Sequence, residues 1–554
     1  MIEQKKKSFG ILLTVILISA LLTVCLELGL SYLRPDTPGS LTKHLIHFAI
    51  MFVLLGGTVL LCLFRPPFKK LWAWIDKNIL TKETRPIAID IIYAVLAGLM
   101  LLHHFYVILY YPTIPAGATK FAPFWIVLAA LTVFLGKSWR EISFRLAAVF
   151  LIFTFERIYL RDLVVTGDNS VYFFSGIYAF FICMNVFSVL RPSVRIHFLK
   201  ALCAVWTLAA LALSLLGLYT AWTGIQIHNL AGTTTHVEKG RLWIFAYPTI
   251  TSSFMSCGCF MAFISFALSK HKPIKILYLF VCLITMVANS LTDTRASFIS
   301  LACMAAGTLC IGIWTIYRNN KSSKPSGKRT ALIIAALVLC FSACFFGTIS
   351  IQQYLGTRFI EIRDNGGIVV QSAYAEDSVD SETPESAEEL PTFEQRNVWF
   401  SDEESHNRTL SNRLILWQRS LHFLHRPQIL LYGVTIDGYA AYLIGRQDHA
   451  HNILLQTALE GGIPALSLFL ALIIYGIFHA FRLWNRTGIP FWQRLLPLPM
   501  FTILLWEMVE CVSHFSFGHP PMTLLWFFTG CTITVRKSLG KATKSPEIPA
   551  ESAE

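Results

Sequence analysis

The chain has 554 residues, 55% of them hydrophobic and 14% charged. That balance excludes a soluble enzyme, a disordered chain and a disulfide-stapled secreted module, because no water-facing globule of this length carries so much apolar surface. With 46 Lys and Arg against 33 Asp and Glu the net charge is +13, and in a polytopic membrane protein such an excess is first a question of topology.

Apolar stretches near 9–33, 45–64, 87–110, 121–136, 143–160, 172–190, 198–223, 249–268, 274–291, 296–316, 331–350, 453–481, 495–513 and 521–535 predict about fourteen transmembrane helices in an all-α integral membrane protein. The stretches 121–136 and 521–535 are the shortest, and a re-entrant course is the alternative for each. Lys5, Lys6 and Lys7 precede the first stretch as in a signal peptide. Its apolar run is too long and lacks a small-residue cleavage site, so it reads as a retained span.

With the N-terminus in the cytoplasm, one side collects 30 Lys and Arg and the other sixteen, eight of them in the long connection 351–452. Long connections follow the positive-inside rule poorly, so the short segments decide and both termini are placed in the cytoplasm. Helices 1 to 11 then occupy 1–350, an extracytoplasmic loop 351–452, helices 12 to 14 the segment 453–535, and a cytoplasmic tail 536–554. No basic stripe with interleaved aromatics suggests nucleic acid. All thirteen cysteines fall in predicted spans, where they read as packing residues.

The outer loop has two unlike parts. Residues 375–404 hold eleven acids, among them Glu388, Glu389 and Asp402 to Glu404, with few large apolar residues to form a core, and read as a flexible acidic flap. The part from 411 to 452 reads as helical. Leu414, Trp417, Leu421 and Leu424 recur at helical spacing until Pro427, as in an amphipathic helix lying on the membrane surface. A second short helix is expected from Asp437. A third starts near Asp448, which would cap it, and breaks at Gly461, Gly462 and Pro464.

No P-loop, CxxC, HExxH or GxSxG is present, so no cofactor is expected. The densest polar constellation is Asp448-His449-Ala450-His451-Asn452. A helix start attracts anions and a neutral imidazole can take a proton from a hydroxyl; the alternative is a pair of interfacial histidines closing the helix start. Arg295 stands in a very short turn between two spans, either paired with Asp293 or holding a phosphate through its planar fork. Arg413 opens the amphipathic helix, where snorkelling to headgroups is the alternative to ligand binding. Glu507, Glu510 and His514 share one helical face and either line an acceptor channel or pair with an arginine. A loose Glu27, Asp36 and His44 set is a weaker rival as a metal site, and His103 and His104 read as interhelical hydrogen-bonding residues.

Arg413-Leu414-x-x-Trp417, then Pro427 and Gly433, then His451-Asn452 with Glu460-Gly461, resembles the bacterial O-antigen ligase family, which includes related polysaccharide polymerases. Thr292-Asp293-Thr294-Arg295-Ala296 resembles its short arginine motif, and Arg241 with Tyr247-Pro248 resembles an earlier one more faintly. Asp293-Thr294 stands where the family usually has a small residue or serine before the arginine. The resemblance implies a GT-C-like, metal-independent glycosyltransferase of the bacterial cytoplasmic membrane, acting on its outer face. Its donor would be a polyprenyl-diphosphate-linked glycan, and its acceptor a glycan, lipid or wall hydroxyl. It implies His451 as base, Arg295 and Arg413 on the diphosphate, and His449, Asn452, Arg241 and Glu510 as further substrate-binding positions. A polymerase joining lipid-linked repeat units is the nearest alternative, and a lipid-linked sugar transporter the alternative from another class.

Overall fold

The computed structural model describes residues 49–58, 66–102, 114–162, 176–229, 232–238, 241–245, 248–292, 295–319, 416–433, 450–509 and 520–542, with isolated positions elsewhere. The first span, the span at 331–350, the acidic segment 375–404 and the helix expected from Asp437 lie essentially outside them. The main elements are α1 (Ile87–Leu101), α2 (Ile114–Gly136), α3 (Ile142–Asp162), α4 (Pro192–Thr223), β1 (Ile227–His228), β2 (Thr234–Glu238), β3 (Arg241–Trp243), α5 (Pro248–Leu268), α6 (Lys272–Ser290), α7 (Arg295–Asn319), α8 (Pro427–Tyr432), α9 (Ile453–Trp484), α10 (Leu498–Val509) and α11 (Pro520–Ala542).

The protein is mostly helical. Among the described residues four helices are long and apolar enough to cross a membrane: Pro192–Thr223, Ile250–Leu268, Lys272–Ser290 and Ile453–Trp484. The expected count of fourteen is therefore not established, although helices stand at most of the remaining predicted positions. Both of the shortest predicted spans lie in helices of 23 residues, α2 and α11. Outward apolar stripes, such as Ile91, Val95 and Leu99 on α1 and Ile276, Leu277 and Phe280 on α6, are what a lipid-facing surface requires.

The chain forms two compact units. One contains residues 1–103, 115–199 and 416–554. Its axis is α11, buried on every side from Pro521 to Val535, the pattern of a helix enclosed by others. Trp526 meets Phe180 at 4.7 Å and Phe469 of α9 at 5.9 Å between ring centroids. Gly530 lies so close to the Met184 carbonyl that a Cβ would come within 1.9 Å of its oxygen. Close backbone approach of this kind, through small residues, is how helices gain contact in lipid. At the start of α1 the fully buried Asp90 carboxylate pairs with Arg85 and Arg191. Arg85 also donates to the Val189 carbonyl at 2.8 Å. Burial pulls the Arg85 guanidinium below its ordinary value, against the opposing pull of Asp90.

The other unit contains residues 104–114 and 200–415. Here α5 is buried along most of its length and packs on α6. A Cβ on Gly258 would sit 2.1 Å from the Ala210 methyl of α4, and Asn289 donates to Ser256 Oγ across the helix pair at 3.0 Å. Cys203, Cys257, Cys259 and Cys282 are buried and unoxidised, as packing residues should be.

One feature departs from the all-α expectation. Residues 227–243 form a three-stranded antiparallel sheet in the order β1-β2-β3, with Ile227 opposite Thr235 and His236 opposite Trp243. The turn between β1 and β2 closes where Asn229 Oδ1 accepts from the Thr233 amide, with Gly232 at φ 83°. The run Thr233-Thr234-Thr235 with Val237 has the β-branched bias of a strand, but the strands are too short to signal themselves by alternation.

Candidate active site

The candidate site of the first unit is built around the start of α9. Asn452, in extended conformation, is the N-cap: its Oδ1 accepts from the amides of Leu454 and Leu455 at 3.0 and 3.1 Å. This corrects the expected capping by Asp448, which lies outside the described residues. The helix cannot begin earlier, because His451 has φ 51°, a left-handed value, immediately before the cap. It also shifts the anion reading, since the Asn452 side chain already occupies two of the first helical amides.

A left-handed non-glycine residue carries a cost of about 1–2 kcal/mol, so its surroundings must hold it. They do so through both neighbours. The Ala450 amide donates to Gln456 Oε1 at 2.8 Å, and the Ala450 carbonyl accepts from Trp417 Nε1 at 3.0 Å. Asn452 Nδ2 donates to the Met508 carbonyl of α10 at 3.0 Å. The buried Gln456 is fixed in turn by Glu460, to which its Nε2 donates at 2.6 Å. His451, between the two clamped residues, stays half-buried. Strained backbone held this firmly is a mark of functional positions.

Beneath the turn, Leu416, Leu424, Ile429, Ala450, Ala458 and Leu459 make a small core. The helix at 416–424 buries Leu416, Ser420 and Leu424, while Leu414 and Leu421 are each 49% exposed. Trp417 leans toward Ala450, and Leu414 and Leu421 remain for an apolar outer surface. Pro427 ends this helix as expected and opens α8 at the same time, where its missing amide costs nothing.

The predicted break in α9 falls at Gly462, with φ 70° and ψ −175°. Gly433, at φ 70° and ψ −178°, closes α8. Each glycine presses on the other segment: a Cβ on Gly433 would be 2.3 Å from the Glu460 carbonyl oxygen, and one on Gly462 2.7 Å from that of Leu431. Only glycine tolerates both conditions. The break is therefore a lock between α8 and α9, and it sets the direction of the helical turn that carries Asn452, Gln456 and Glu460. Glu507, fully buried, precedes Met508 on α10; Glu510 and His514 lie outside the described residues.

In the second unit, Arg241 opens β3 and is half-buried. The amide of its neighbour Leu242 donates to the Leu291 carbonyl at 2.8 Å, four residues before Arg295, the first residue of α7. The sheet thereby ties the Arg241 strand to the short turn preceding Arg295, two parts that the sequence separates by more than fifty positions. The Arg295 side chain lies outside the described part, as do Arg413, His449 and Asp293. Glu27, Asp36, His44, His103 and His104 also lie outside it. Sequence reasoning missed Gln456 and its bond to Glu460, although Asn452, Gln456 and Glu460 at spacings of four mark one helical face.

A mostly helical chain with apolar outward stripes, and a strained histidine clamped at a helix start, define a class: a helical membrane protein with a polar site at helix ends. Residues 277–470 match the family model described as O-Antigen ligase, so the resemblance drawn from the Arg295, Arg413, Trp417 and His451-Asn452 motifs is borne out over that stretch. The match supports a membrane glycosyltransferase of the ligase and polymerase type. No curated protein matches the chain.

Proposed function

We propose that this protein transfers a polyprenyl-diphosphate-linked glycan to an acceptor hydroxyl at the outer face of the bacterial cytoplasmic membrane, as an O-antigen ligase-like enzyme. In this reading about fourteen spans leave both termini in the cytoplasm, and 351–452 lies outside. The observation that carries the reading is His451, held in a left-handed turn by Trp417, Gln456 and Asn452, inside the stretch that matches the family.

The chemistry follows from the groups. His451 takes the acceptor hydroxyl proton as the oxygen attacks the anomeric carbon. The bond from that carbon to the diphosphate oxygen breaks, and the diphosphate departs on its polyprenyl carrier. Negative charge grows on that oxygen in the transition state, where Arg295 and Arg413 stabilise it and Arg241 adds to the substrate-binding set. His449, Asn452 and Glu510 complete the substrate-binding set, with Asn452 acting by fixing the turn. Attack opposite the leaving group inverts the anomeric centre. A donor already anchored in the bilayer explains why the reactive residues stand at helix ends and not in a separate soluble domain.

The test is purified protein in liposomes with a radiolabelled lipid-linked glycan and a lipid acceptor. Glycan moving onto the acceptor with release of polyprenyl diphosphate is the expected result. Long glycan chains formed from donor alone would make it a polymerase. Donor crossing the bilayer with its glycosidic bond intact would refute transfer and leave a transporter.

A further inference from the structure

A polar cavity lies in the same unit as His451, away from the start of α9. It has a volume of about 360 Å³ and is lined from the 80–83 segment, the α2 to α3 turn, the segment before α4 with the first turn of α4, and α11. Arg486, just beyond α9, donates to the Leu539 carbonyl beside this cavity at 3.1 Å. His451 precedes the opposite end of α9, whose regular part after the break at Gly462 runs roughly 33 Å, enough to cross a bilayer. In the topology proposed above, this cavity opens to the cytoplasm.

Its walls carry Lys82, Lys137, Arg140, Arg195 and Lys537 against Glu83 and Glu141. Lys137 pairs with Asp76, and Lys537 with Glu141. Arg140 and Arg195 enter no salt bridge among the described residues. The positive-inside rule accounts for cations at this end of the bundle, but it leaves them hydrated at the surface. Arg195 is different: it is only 8% exposed. It donates to Ser538 Oγ at 3.2 Å and to the Ser188 carbonyl at 3.4 Å, and its plane lies 5.7 Å from the Phe187 ring. Its Nε has no partner among the described residues. A buried guanidinium on a cavity wall, in no salt bridge among the described residues, fits an anionic oxygen ligand, because its charge is otherwise uncompensated there.

We infer that this cavity binds the phosphate headgroup of an anionic phospholipid of the inner leaflet. Guanidinium groups and serine hydroxyls suit a phosphodiester. Leu80, Leu135, Met184 and Ile533 line the same cavity and suit the glycerol ester shoulder. Basic pockets between helices on the cytoplasmic side are where such headgroups dock. The site is independent of the transfer chemistry, and its readout is binding.

Native mass spectrometry of the full-length protein with phosphatidylglycerol and phosphatidylcholine, followed by titration of inorganic phosphate without lipid, tests this directly. Wild type should retain phosphatidylglycerol about tenfold better than phosphatidylcholine, and Arg195→Gln should lose most of that preference. Arg140→Gln, at an exposed rim position, should lose part of it, and it decides the matter if Arg195→Gln does not fold. Equal retention of both lipids by wild type, or full preference in Arg140→Gln, overturns the site. Stabilisation by inorganic phosphate with no lipid preference assigns the site to free phosphate and overturns the headgroup.

Discussion

Replacing Gly433 by alanine tests whether the α8 to α9 lock is as tight as its geometry requires. The residue sits at φ 70°, ψ −178°, a region populated almost only by glycine, and a side chain held there costs about 1–3 kcal/mol. The added methyl carbon would fall 2.3 Å from the Glu460 oxygen and 2.6 Å from the Gly461 nitrogen. Both are backbone atoms that move only if α9 shifts as a body, so overpacking adds about 1–3 kcal/mol. The total is roughly 2–6 kcal/mol on these two terms. Two controls separate them. Gly488 also has positive φ, at 71°, but open space around it, and Gly57 has open space without that strain. Gly488→Ala should cost only about 1–2 kcal/mol. Gly57→Ala should be neutral or stabilising by up to about 1 kcal/mol, since alanine favours the helix. Thermal unfolding in detergent, read by intrinsic fluorescence, ranks the three. Gly433→Ala melting at or above Gly488→Ala would refute the lock.

Other substitutions probe neighbouring parts of the account. Asp90→Ala leaves the Arg85 and Arg191 guanidinium groups without their shared carboxylate and should destabilise by about 3–5 kcal/mol, seen as a lower melting temperature and reduced yield. Asn452→Ala removes the cap, about 1 kcal/mol of stability, and also frees the turn from α10; transfer should fall by far more than the small stability loss implies. Arg295→Lys keeps the charge but loses the fork, so donor turnover should fall while the protein stays folded, measured as initial rate against donor concentration.

Much of the architecture was readable from hydropathy, because a bilayer demands long apolar helices and the chain supplies them at regular intervals. The break at Gly461 to Pro464 and the stop at Pro427 were equally plain, since glycine and proline act locally. What could not be read depends on partners distant in sequence. The cap moved from Asp448 to Asn452 because His451 is held left-handed by Trp417 and Gln456, one of them thirty-four positions upstream. The helix at 416–424 divides its apolar residues, Leu416 and Leu424 inward and Leu421 outward, and the inward set is fixed by Ile429, Ala450, Ala458 and Leu459, which no local spacing shows. The small sheet escaped because its strands run only two to five residues. The Asp90 network joins residues about a hundred positions apart, and no local pattern marks it.

The central claim is that the clamped imidazole removes the acceptor proton. Purified His451→Ala, compared with wild type for initial rate of transfer from a radiolabelled lipid-linked glycan, measures it directly. The account predicts a drop of about 100- to 10,000-fold, with unchanged melting temperature and unchanged donor binding. Transfer at the wild-type rate by the folded variant would contradict it.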